Sequence, residues 1–138
     1  MAWRWPPVVT KLAPGENITS PQGSSVAWAQ NRLLEATHMA LAAIAKDVRL
    51  GLLETVGITA EWDEQAEYGS VVVTLPKGTD TEFISKAIDL ENVESWCDKQ
   101  GQVHVGIGPW YTTKDVDQVV LAITKVVHVL LGLHASHH

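Results

Sequence analysis

The chain has 138 residues, 46% of them hydrophobic, which suits one domain with a real core and excludes disorder by composition. Sixteen acidic against ten basic residues give a formal charge of −6, and no Lys/Arg cluster occurs. That balance argues against a nucleic-acid or anionic-membrane partner, because phosphate binding needs clustered positive charge.

A single cysteine, Cys97, rules out an intrachain disulfide and fits a reducing compartment. The opening MAWRWPPVVTK has early prolines and no apolar run, so it does not read as a signal peptide. The longest apolar windows carry Lys or Asp, so no membrane span is expected. Asn17-Ile18-Thr19 matches a glycosylation sequon, which carries no weight without a secretory signal. The expected location is the cytoplasm.

Residues 1–24 hold Pro6, Pro7, Pro14, Pro21, Gly15 and Gly23 and read as an extended arm. The arm also carries Trp3 and Trp5, either to wrap its own domain or to anchor a partner subunit. Ser24 or Ser25 can cap a long helix running to about Val56. Leu33, Leu34, Thr37, Leu41, Ile44, Ala45, Val48 and Leu52 form its stripe, and Gly57 ends it. Its small-residue middle, ALAAIAK, allows close approach of another helix. Residues 58–66 alternate as a strand, and SVVVTL at 70–75 is a second; the short polar stretch between them predicts an antiparallel hairpin. Thr79 or Asp80 can cap a short helix over 81–88 with Phe83, Ile84 and Ala87 inward. Residues 93–97 read as a third strand and 103–107 as a fourth, turned by Gly101. After Gly108-Pro109, Thr112 or Thr113 caps a last helix with Asp115 and Asp117 in its first turn. Its stripe is Val116, Val119, Val120, Ile123, Val126, Val127, Leu130 and Leu131. The expectation is one two-layer α+β domain over 25–133, in order α-β-β-α-β-β-α, with helices over a small antiparallel sheet of about four strands. A His-rich tail occupies 134–138.

The strand VHVGIG, its short aromatic turn, the run TTKDVDQVV and the long apolar helix resemble the end of the small domain of fold-type I pyridoxal-phosphate enzymes, above all cysteine desulfurases and class V aminotransferases. The resemblance spans about residues 30–133. Leu52-Leu53-Glu54-Thr55-Val56-Gly57-Ile58 looks like that family's passage from helix to first strand, and 70–75 like its second strand. Val93-Glu94-Ser95-Trp96-Cys97 falls where the family's reactive-cysteine loop begins, which implies a persulfide-carrying role for Cys97. His104 stands where the family places the arginine that holds the substrate carboxylate. A neutral imidazole does not replace that bidentate guanidinium, and DKQGQ after Cys97 is shorter than the family's mobile loop. The sequence holds no counterpart of the large domain with its Schiff-base lysine, so no cofactor is expected and the chain alone is not expected to be a pyridoxal-phosphate enzyme.

Other chemistry is sparse. His134, His137 and His138 sit beyond Gly132, where a helix should already have ended, so no metal site is expected. His38 and His128 flank helical core positions. Asp63, Glu64 and Glu67 fall in a polar hairpin, and Asp115 and Asp117 suit helix capping, so no general acid–base pair is set up. Gly106-Ile107-Gly108 lacks the rest of a dinucleotide fingerprint, and no G-x-S-x-G, H-E-x-x-H or C-x-x-C occurs. Six tryptophans against one phenylalanine favour an interface, with Trp3, Trp5, Trp62, Trp96 and Trp110 as its candidates. The expected function is therefore non-catalytic: protein–protein contact through self-association or within a larger complex. The alternatives are an accessory sulfur carrier using Cys97, with His104 beside it, and a small-molecule sensor with a pocket near Trp96, Trp110 and His104.

Overall fold

A computed structural model describes residues 21–64 and 69–133. The elements in chain order are α1 (Pro21–Val56), β1 (Ala60–Trp62), β2 (Ser70–Val73), α2 (Thr81–Asp89), β3 (Ser95–Cys97), β4 (Val103–Gly106) and α3 (Thr113–Leu131). The four strands form one antiparallel sheet in the order β1-β2-β4-β3. The fold is α+β with the expected succession of elements.

Strand alternation decides which side of the sheet the helices cover. Ala60, Val71, Val73, Val103 and Val105 point one way and are buried. They meet Leu41, Val48 and Leu52 of α1 and Ile123 and Val127 of α3, which belong to the same buried cluster. Burying each such aliphatic side chain is worth about 1.5–3 kcal/mol, so this interface is what holds the β-branched α3 helical.

Two contacts set the path of the long helices. Gly51 of α1 lies against Val120 of α3, and the Thr55 hydroxyl meets that of Thr124 at 2.9 Å. The pairs advance together along both chains, so α1 and α3 run parallel. They also put the start of α3 level with Ile44. The part of α1 before that point therefore extends beyond α3, and from His38 towards Pro21 it leaves the sheet behind.

Caps close the remaining ends. Asp80 accepts from Phe83 N to start α2, and Thr112 forms a reciprocal capping box with Asp115 to start α3. Gly57 and Gly132 end α1 and α3, both at φ 69°. Arg49 Nε donates to Ala60 O at 2.7 Å, which covers a main-chain carbonyl on the edge strand β1.

Several expectations need correction. Helix α1 begins at Pro21, so residues 21–24 belong to the helix and not to the arm. Proline in a first turn lacks only an N–H that has no intrahelical partner there. The strands are shorter than their hydrophobic patterns, because pairing in the sheet defines them: β1 ends at Trp62 opposite Val71. Phe83 is exposed; α2 buries Ile84, Ser85 and Ile88. Leu33 and Leu130 are exposed as well: Leu33 lies on the part of α1 beyond α3, and at the end of α3 Leu131 and Leu133, not Leu130, pack against the core. Trp3, Trp5, Glu67 and the tail histidines lie outside the described residues.

Candidate functional site

The face of the sheet away from the helices carries a connected polar group. Glu61, Val72, His104 and Trp96 lie side by side across all four strands. The Trp96 ring stacks on His104, with centroids 5.3 Å apart and planes 9° from parallel. His104 Nε2 is 2.8 Å from Asp98 Oδ2, and its Nδ1 is 3.1 Å from Ser70 Oγ. Asp98 is oriented in turn: its Oδ1 accepts from Gln100 N and Gln102 N, each at 2.9 Å. The Gln102 N–H first, then His104, holds the Asp98 carboxyl below its ordinary value against the opposing effect of desolvation. An ionised Asp98 accepts only, so the nitrogen facing it must donate. Nε2 carries a proton and donates to Asp98, while Nδ1 and the Ser70 hydroxyl share the second hydrogen bond.

Serine, histidine and aspartate joined in this order share the connectivity of an activated nucleophile. Accessibility decides otherwise. Ser70 is 4% exposed within a central strand, so a carbonyl carbon has no approach to its Oγ. The trio ties β2, β4 and the β3–β4 turn together. Sequence reasoning found His104 but not Ser70 or Asp98, which are 34 and 6 residues from it. No spacing rule connects them before the strands are paired.

The remaining candidates are dispersed. Trp62 is half-buried on the helix-facing side of β1, 5.1 Å from the His38 ring. Trp96 is on the opposite face at the other edge. Trp110 is exposed in the turn after β4, edge-on to Tyr111 and against Gly108, where a Cβ would meet its ring at 2.6 Å. These three tryptophans do not form one patch. Cys97 is half-buried on the helix-facing side of β3 and packs against the core. Among the described residues no group of three or more His, Cys, Asp or Glu is placed to hold a metal ion, and no helix is long and apolar enough to cross a membrane.

Two surface features lie apart from the sheet's polar face. A groove of about 410 Å³ lies between α3 and the connection from α2 to β3, lined on one side by Glu91 and Val93 and on the other by Tyr111, Asp115 and Gln118. The projecting part of α1 exposes Val26, Trp28, Leu33 and Met39. Trp28 was not among the interface candidates, although its place on the same helix as Leu33 is legible in the sequence. Comparison with known proteins finds no matching family model, no matching curated protein and no matching solved structure.

Proposed function

We propose that the chain is a non-catalytic protein-interaction domain that works through self-association or as a subunit of a larger assembly. The observation that carries this reading is the projecting end of α1. Trp28 there is 64% exposed and Met39 71%, with Val26 and Leu33 also more than half exposed. Helical geometry puts Val26 and Leu33 on one side and Trp28 and Met39 on another. A helix that is apolar on two sides belongs inside a structure or against a partner, whereas scattered single apolar residues need no such account. The Arg32 guanidinium lies 5.3 Å from the centre of the Trp28 ring, pairing the two residue types most enriched among interface hot spots. The likeness of residues 30–133 to a small domain that operates beside a larger one is compatible with an accessory role.

Light scattering coupled to size exclusion, with affinity capture from native lysate, tests the reading. The full chain is expected above its 15.1 kDa monomer mass or with a stoichiometric partner. Trp28→Glu with Leu33→Glu is expected to abolish the association and leave the circular dichroism unchanged, because neither side chain is in the core. A wild-type chain that stays monomeric and captures nothing refutes the proposal.

A further inference from the structure

We propose that the groove beside α3 binds a small organic amine. This does not depend on the interaction reading, since the groove and the projecting end of α1 are separate surfaces. At about 410 Å³ the groove has the volume of a small-ligand site. Val93, Val119 and Ala122 supply apolar lining, and Asp115 and Gln118 supply polar groups beside Tyr111, whose hydroxyl faces Gly106 O at 3.5 Å.

The charges select the ligand. The one cation lining the groove, Lys125, is held by Glu91 at 2.8 Å and so does not attract an anion. Asp115 receives both Thr112 N, at 2.8 Å, and Thr112 Oγ1, at 3.1 Å, on the same oxygen, Oδ2. Among the described contacts Oδ1 is left for a donor in the groove. An ammonium group offers three such donors, and the Tyr111 ring lines the same groove. Gln118 adds a carbonyl acceptor. The surroundings carry the same sign: the Tyr111 hydroxyl is pushed above its ordinary value by burial first and then by the charges of Asp115 and Glu94. A partly dry wall under negative potential strengthens a charge-assisted hydrogen bond to a cation and opposes an anion.

Amide-resolved NMR titration of the full chain with n-butylamine, and in parallel with n-butanol, tests the assignment. The amine is expected to cause saturable one-to-one shifts in residues 91–93, 111 and 115–122, while the alcohol leaves them in place. Gln118→Lys puts a cation into the groove without touching the helix cap and is expected to abolish the shifts. Asp115→Asn is expected to weaken binding by about tenfold, the loss of one charge-assisted contact. Equal shifts with the alcohol, amine shifts scattered over the acidic surface and unchanged in Gln118→Lys, or no shifts at all would each overturn the proposal.

Discussion

The closest approach of α1 and α3 makes a sharp test of the packing. At Gly51 an added Cβ would sit 2.7 Å from Val120 Cγ2 and 3.2 Å from its Cγ1. Alanine in place of glycine inside a free helix normally stabilises by about 1 kcal/mol. Here the new methyl meets a nearly buried, β-branched side chain with little rotamer freedom. Overpacking of this kind costs about 1–3 kcal/mol, so Gly51→Ala is expected to destabilise by about 1 kcal/mol net. Val120→Ala alone removes two methyl-sized groups from the interface and costs about 2 kcal/mol. In that background the obstruction is gone and Gly51→Ala recovers its helical preference, stabilising by about 1 kcal/mol. The sign reversal amounts to a coupling of about 2 kcal/mol, well above the error of a double-mutant cycle. Urea unfolding followed by tryptophan fluorescence and far-ultraviolet dichroism measures all four chains. A Gly51→Ala single variant more stable than the wild type refutes the parallel contact of these helices at this point.

The β3–β4 turn should respond to acid through Asp98. Its folded carboxyl is held below 3.8, so its stabilisation is present above about pH 4 and lost as the pH falls through the lower folded value. Thermal unfolding of the wild type is expected to fall more steeply below about pH 4 than that of Asp98→Asn, and parallel profiles would remove this role. Tyr111 should act at the alkaline end. Its folded hydroxyl is raised above 10.0, so its contribution is intact below about pH 10 and lost as the pH rises through the higher folded value. Tyr111→Phe is expected to flatten that limb of the stability curve, and an unchanged alkaline limb would show that the hydroxyl is not desolvated by folding.

Local chemistry made much of the fold legible. Thr112 is followed three residues later by Asp115, and the capping box forms where that pattern stands. The alternation of Val103 and Val105 with His104 marked one face of β4 for burial, because a strand turns its side chains over at every residue. The polar group around His104 was not legible. Ser70 and Asp98 become its neighbours only when β2 and the β3–β4 turn close around β4, and sequence separation says nothing of that. Phe83 misled for a related reason: several helical phases fit a nine-residue helix, and contact with the sheet chose the one through Ile84 and Ile88.

The amino-acid order alone determined the succession of helices and strands, the glycine stops of α1 and α3, and the inward faces of β4 and of most of α3, since these follow from periodicity and from hydrogen bonds a few residues long. Only the tertiary structure decided that β4 lies between β2 and β3, that α1 runs beside α3 and then past it, and that Glu91 and Asp115 border one groove. Those arrangements follow from burying apolar area between elements far apart in the chain, which no short stretch of sequence contains.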